Sequence, residues 1–358
     1  MKKVLLISNR VMHYRVSIYN YLSRKFEECG WNFIVRSNEL QKKNPHRLGF
    51  DFREIPFRFA DYRREIDRIN PDAVIMFLHL RDGVLWPLLL WLKLKKIPVG
   101  FWTKGVNLDN PNGRLSHAMY RCMHAWFDGI ILYSRHEMKY IKEKHRHKVS
   151  IANNTVNFED FPRIAESKEE IKKELGVPFR KTVLSVGRME EAGGRKKISH
   201  LIEVFKNLNM KGVGLVIVGS GVDKILLDGS GENTIYLGEI FDPQHLKISK
   251  IFKMADVFSI PGHVGLGLNQ AFFWGLPVVT EDGLQPPEIH YLIDGRNGFI
   301  VPENDVEELR RKIIYLLEND GHREEMGKNA REDILREASV SNMFKGFKEC
   351  VDRLVDSQ

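Results

Sequence analysis

Twelve short runs rich in β-branched and other apolar residues punctuate the chain, six in each half, with helical stretches between them. In the first half they cover residues 3–8, 31–37, 72–77, 97–102, 129–134 and 148–153. In the second they cover 182–188, 212–220, 234–239, 256–261, 276–281 and 298–302. The runs are apolar almost throughout instead of alternating, the pattern of strands covered on both faces. Strand–helix alternation predicts an α/β protein with parallel sheets and helices on both sides. Two sets of six predict two Rossmann-like domains, and 358 residues suit that number. The polar stretch Asn154–Lys173 puts the boundary near residue 165, giving domains at 1–165 and 166–340. A helical stretch over 341–358 follows every strand and is placed to cross back to the first domain. In open parallel sheets ligands sit beyond the carboxyl ends of the strands, so two facing domains predict one cleft between them.

Charge divides the chain as sharply as the strands do. Residues 1–150 hold 28 Lys and Arg against 14 Asp and Glu, a balance of +14, whereas the remainder holds 27 against 33, a balance of −6. The first half is therefore the part to meet something anionic. Finger spacings, RNP strings and basic heptads are missing, which excludes the usual nucleic-acid binders. An anionic membrane surface or a phosphate-bearing substrate fits the charge. The candidate surface contacts are Lys42, Lys43 and Arg47, and the stretch Leu85–Lys96 with Trp86 and Trp91; the same stretch also reads as a core helix. The longest apolar run, Val84–Leu92, is far short of the roughly 20 residues a spanning helix needs. The start, MKKVLLISNR, reads as a strand instead of an export signal. Cys29, Cys122 and Cys350 lie far apart with no CxxC pair, which excludes a disulfide framework and suits a reducing, cytoplasmic setting.

Two strings could carry chemistry. In SVGRMEEAGGRKKISHLIEVF (185–205) a strand leads into Gly187-Arg188, a Gly-rich loop, Lys196 and then a helix. Two cations and a helix N-terminus at a strand end suit a diphosphate, which Arg grips with a fork and Lys meets as a point charge. In PGHVGLGLNQAFFWGLPVV (261–279) glycines open a helix, so a ligand can approach backbone N–H groups that the helix dipole makes attractive to anions. Glu288 follows the turn Gln285-Pro286-Pro287 and is a candidate for sugar hydroxyls. GSGVDK (219–224) lacks the third glycine of a dinucleotide fingerprint and reads as a tight turn.

These strings, in this order, resemble the retaining GT-B glycosyltransferases of family 4, the glycosyl transferases group 1. The family's VGR…KG…LIEAF is similar to Val186-Gly187-Arg188, Lys196 and Leu201–Phe205. Its nGfGL…EAm..G.PVV is similar to GLGLNQAFFWGLPVV, and its G..E…..G.nGflv to Glu288 with DGRNGFIV. IANNTVN, with Asn154, resembles the family's vpN(g/t)vD. In the first half HYRVSIYNYL (13–22) and IPVGFWTKG (97–105) resemble family strings more thinly. The family's paired glutamates would fall at Gly262 and Gln270, so both acids are missing, as in a PGxVGL-type branch.

The resemblance implies transfer of a sugar, with retention, from a UDP- or GDP-type nucleotide sugar to a hydroxyl acceptor. A lipid-linked or surface-glycan acceptor, as in polysaccharide or lipopolysaccharide biosynthesis, is expected. No separate cofactor and no metal are expected. Arg188 and Lys196 would be the catalytic cations. Gly187, the backbone of Val264, Gly265, Leu266, Gly267 and Leu268, and Glu239 with Ile240 beside the base would bind the donor. Gln270 would meet the ribose, Glu288 the sugar, and His263 would replace the missing glutamate. His13, Tyr14, Arg15 and Lys104 would meet the acceptor. A non-catalytic GT-B partner subunit and a nucleotide-sugar epimerase are the alternatives. The expected place is the cytoplasm, peripheral on the inner face of the membrane.

Overall fold

The computed structural model describes residues 1–42, 44–108, 110, 113–189, 194–221 and 230–356. It falls into two units: Met1–Asn157 together with Ala338–Gln358, and Phe158–Glu337. Each is built on one parallel sheet with helices between its strands, so two Rossmann-like α/β domains form as the strand pattern requires.

The first unit contains β1 (Lys2–Val11), β2 (Trp31–Leu40), β3 (Asp51–Glu54), β4 (Ala73–Phe77), β5 (Val99–Thr103), β6 (Gly129–Leu132) and β7 (Val149–Ile151). Their order is β3-β2-β1-β4-β5-β6-β7, all parallel. The twelve apolar runs include every strand here except β3. Its sequence, DFRE, is charged and mostly exposed, because it is an edge strand with only one neighbour. The second unit contains β8 (Lys181–Val186), β9 (Val213–Val218), β10 (Thr234–Tyr236), β11 (Val257–Ser259), β12 (Val278–Glu281) and β13 (Gly298–Val301), in the order β10-β9-β8-β11-β12-β13. Both sheets reverse direction of winding beside their first strand, between β1 and β4 and between β8 and β11. Those two positions are the switch points at which such sheets bind ligands.

The helix Leu85–Leu94 settles one ambiguity of the sequence. Leu85, Leu88, Leu89 and Leu92 are fully buried in the first core, and Trp86 and Trp91 pack against it half-buried. It is a core helix, with Leu90 and Leu94 left outside. Of the basic cluster near residue 42, Lys43 lies outside the described residues.

The last helix, Val340–Asp356, belongs to the first unit, as its position after the strands allows. Met343, Phe347, Cys350, Val351 and Leu354 enter the first core, and Phe347 meets Trp102 edge-on at 4.9 Å between ring centroids. Burial pushes the Cys350 thiol up to about 12. Close approach depends on Gly346, where an added Cβ would stand 2.1 Å from the backbone oxygen of Ile151. Gly346→Ala should therefore destabilise the chain by about 1–3 kcal/mol, the usual cost of overpacking. Urea unfolding checks this, and an unchanged midpoint would mean that the helix is not seated this closely.

Candidate active site

At the switch point of the second sheet the loops after β8 and β11 are packed into one another. Gly187 follows β8, its N–H donating to Val218 O at 2.9 Å. A Cβ on Gly187 would meet Lys196 Cε at 3.3 Å, and one on Gly219 would stand 1.7 Å from Gly187 O. The turn that begins GSGVDK is thus a packing partner of the Gly187–Arg188 loop, with Gly219 at φ +139°; residues 222–224 of that string lie outside the described residues. Arg188 follows Gly187 and is exposed.

The loop after β11 is held from three sides. Its backbone pairs with the stretch before the helix Ile198–Lys206: Gly262 N donates to Lys196 O at 3.0 Å and His263 N to Arg195 O at 2.7 Å. Thr280 Oγ1 donates to Ile260 O at 2.7 Å. Gln285 Nε2 donates to Gly262 O at 2.9 Å, while its Oε1 accepts from Val264 N at 3.1 Å. Lys196 reaches the same place with its side chain, donating from Nζ to His263 O and to Val264 O, the latter at 3.2 Å. That ammonium lies 3.6 Å from where a Cβ on Gly265 would be. Gly265, at φ +58°, is the N-cap of the helix Leu266–Phe273 and gives it no side-chain cap. A Cβ on Gly267 would touch Val186 O at 3.3 Å, which sets the helix N-terminus against the end of β8. Lys196, Gly187 and the 263–267 backbone are therefore one constellation, and exposed Arg188 adjoins Gly187 in the chain. Fixed cations beside the N-terminal N–H groups of a helix form an anion-binding arrangement.

The remaining donor candidates spread from this centre. The N–H of Val264 is engaged by Gln285, so Gly265, Leu266, Gly267 and Leu268 carry the N-terminal turn. The Leu268 N–H already reaches Gly265 O at 3.2 Å. Gln270 is half-buried one turn further along the helix. Glu288 is 5% exposed in the turn Pro287–Tyr291, which packs on that helix. His263 is half-buried in the loop itself. Glu239 and Ile240 follow β10 at the far edge of the sheet, Glu239 exposed, next to the turn where Gly219 N donates to Gly238 O at 2.8 Å. They share the carboxyl edge with Arg188 but stand two strands away from β8.

Sequence reasoning missed the support behind the loop. Glu281, at the end of β12 and 1% exposed, holds Lys197 Nζ at 3.0 Å, the His200 ring at 2.5 Å and the Asn304 N–H at 2.9 Å. Burial pushes its carboxyl up, but the His200 ring, the Asn304 N–H and the Lys197 ammonium outweigh it and leave it below the usual carboxylate range. Lys197 also bonds Glu303 and Asn304. Adjacent lysines thus do different work: Lys197 anchors, and Lys196 faces the glycine loop. Only the pair KK was visible in the sequence, and nothing there tells them apart.

In the first unit, His13 and Tyr14 open the helix His13–Glu28 at the switch point after β1. His13 N and Nδ1 lie 3.0 and 2.8 Å from Gln41 Oε1, and its ring meets Tyr14 edge-on at 5.7 Å. Arg15 turns inward. It is 4% exposed, its guanidinium lying 4.7 Å from the Trp102 ring centroid and 5.8 Å from those of Phe77 and Tyr133. It is buried in a box of rings, with the Tyr14 ring centroid 5.5 Å away, instead of offering an open contact. Lys104, half-buried after β5, shares the carboxyl edge but lies two strands from β1.

Residues 167–333 match the family model described as glycosyl transferases group 1. The chain is 30% identical over 198 residues to an uncharacterized glycosyltransferase of Methanocaldococcus jannaschii, covering 53% of this chain and 48% of that protein. It is 28% identical over 168 residues to the poly(ribitol-phosphate) alpha-N-acetylglucosaminyltransferase of Staphylococcus aureus, covering 45% and 34%. The chain thus spans about half the length, or less, of these curated relatives. Among solved structures, Anabaena HepE in complex with UDP superposes with a TM-score of 0.77 at 12% identity, over 98% of this chain and 100% of that one. The two parallel sheets are those of the GT-B fold, and the match to the glycosyl transferases group 1 model falls within the second unit.

Proposed function

We propose that the chain is a retaining, metal-independent glycosyltransferase of family 4, in its PGxVGL-type branch. Its donor is a UDP- or GDP-linked sugar and its acceptor a hydroxyl on a lipid-linked or surface glycan. The observation that carries the reading is the gathering of Lys196, Gly187 and the 263–267 backbone at the switch point of the second sheet, with Arg188 beside them. As the sugar departs, negative charge builds on the β-phosphate while the sugar becomes oxocarbenium-like. Cations fixed at that oxygen stabilise the transition state more than the ground state. Arg188 offers a guanidinium fork and Lys196 a point charge, and the helix N-terminus adds its N–H groups. Glu288 and His263 orient the sugar, Gln270 meets the ribose, and Glu239 with Ile240 lies by the base. His13, Tyr14 and Lys104 bind the acceptor.

A screen of nucleotide sugars by thermal shift tests the donor, since a ligand bound only by the folded state raises the melting temperature. Turnover onto an added acceptor then identifies a transferase. Donor conversion without acceptor would make the chain an epimerase, and binding without turnover a partner subunit. With charge met by side chains and a helix end, activity should persist in excess EDTA; a requirement for Mg²⁺ or Mn²⁺ in the chemical step would overturn that assignment.

The acceptor side rests on charge. No helix among the described residues is long and apolar enough to cross a membrane. The +14 balance of residues 1–150 favours an anionic leaflet, where each basic residue near the surface contributes about 1 kcal/mol. The proposed place is the cytoplasmic face of the membrane, with the protein held peripherally.

A further inference from the structure

Between the helix Arg114–Trp126 and the turn Arg135–Tyr140 the first unit forms a pocket of about 140 Å³ that is open to solvent on one side. Water takes about 30 Å³ per molecule, so the space suits a small polyatomic ion. His117, Tyr120, Arg121 and His124 line it from the helix, and Lys139 and Tyr140 from the turn. The helical spacing of His117, Arg121 and His124 puts all three on one stripe, which Arg114 begins. None of the described lining residues is acidic. Glu137, on the same turn, is buried and is not part of the lining. The next turn, Glu143–Lys148, carries Lys144, Arg146 and Lys148 outside the lining, and Lys148 Nζ ties that turn to Phe127 O at 2.9 Å.

The two histidines are the telling groups. His124 is 2% exposed, and neither its Nε2 nor that of His117 has a hydrogen-bond partner among the described residues. Buried polar atoms are normally satisfied, and those that are not point to an ion or ligand. Burial, with a smaller push from His145, lowers His124 to about 4, so at neutral pH its ring is uncharged and keeps one N–H. An uncharged ring donor beside Arg121 and Lys139 can meet an anion without adding a buried charge of its own.

We propose that this cavity binds a phosphate-class anion, a phosphate monoester or a diphosphate, through Arg121, Lys139 and the rings of His117 and His124. The glycosyl-transfer reading supplies only its purpose: the anion would be the handle of a phosphorylated acceptor. Leu115, 76% exposed, and Trp126, 45% exposed, stand on the same helix, so a lipid carrier is tested beside a free one.

The test is NMR of the full chain labelled at histidine, with His117 and His124 assigned through His117→Gln and His124→Gln. Inorganic pyrophosphate should shift both signals saturably, in the parent and equally in Arg188→Ala, where the donor site is impaired. Arg121→Glu should weaken that response by about tenfold or more, the loss of a charge-assisted hydrogen bond. Lys139→Glu serves as the second variant should Arg121→Glu lower the melting temperature. Vesicles of phosphatidylcholine with phosphatidic acid are compared with phosphatidylcholine alone. Perturbation of the same signals by the acidic vesicles assigns a lipid carrier, and a response to pyrophosphate alone assigns a soluble one. Silent histidines in both arms, or undiminished responses in the Arg121 and Lys139 variants, would overturn the proposal. Shifting histidines in a chain that turns over no nucleotide sugar would instead refute glycosyl transfer and leave the anion site standing.

Discussion

Arg188→Ala or Lys196→Ala should lower kcat by about 100-fold or more, the order found when one preorganised transition-state donor is removed. Neither change should unfold the chain. Arg188 is exposed after β8, and Lys196 Nζ donates to two carbonyls of a loop that Thr280 and Gln285 also hold. Lys197 is the internal control. It adjoins Lys196 in sequence, but its ammonium holds buried Glu281 together with Glu303. Lys197→Ala should therefore reduce stability by about 1–3 kcal/mol, the cost of leaving a buried acceptor short of a partner, with a smaller effect on kcat. Steady-state kinetics and melting curves on the three variants separate the roles. Near-parental turnover in both Arg188→Ala and Lys196→Ala would remove the proposed mechanism.

The contrast between the two lysines shows where the sequence stops being informative. Periodicity reports burial, so strands covered on both faces stood out: the nine internal strands and the edge strands β7, β10 and β13 fall in apolar runs, while charged β3 does not. Glycine spacing reports close approach, so the loops after β8 and β11 could be read as a site. Side-chain direction is a tertiary property. Arg15 adjoins two candidate acceptor residues, yet it turns into a box of rings contributed by β4, β5 and the end of β6. Glu281 reads as the polar end of a strand, and only folding brings it Lys197, His200 and Asn304. The same limit hid the cationic cavity, whose residues come from a helix and a turn that no motif joins.

Placing glutamates at Gly262 and Gln270, as in the family that the sequence resembles, should have opposite outcomes at the two positions. At Gly262 the sequence suggests a side chain lost from a sugar pocket; the packing gives another reason for the glycine. A Cβ there would stand 1.9 Å from Arg195 O and 3.0 Å from the carbonyl carbon of Lys196, both main-chain atoms. The backbone bonds Gly262 N to Lys196 O and His263 N to Arg195 O fix that approach, so the neighbour cannot withdraw without dragging Lys196 with it. Gly262→Ala should already cost about 1–3 kcal/mol of stability through overpacking. Displacing Lys196 by about 1 Å should lower kcat by about 100-fold, and Gly262→Glu should do at least as much. Gln270 differs, being half-buried on the helix Leu266–Phe273 one turn past its glycines. Gln270→Glu should fold as the parent does and hold the ribose at least as well, because an ionised acceptor makes the stronger bond. Gln270→Ala should weaken nucleotide binding by about 1 kcal/mol. Calorimetric binding, melting temperature and kcat across these variants decide the matter. A Gly262→Glu protein as stable and active as the parent would show that the two loops do not pack as described, and the position of Lys196 would fall with them.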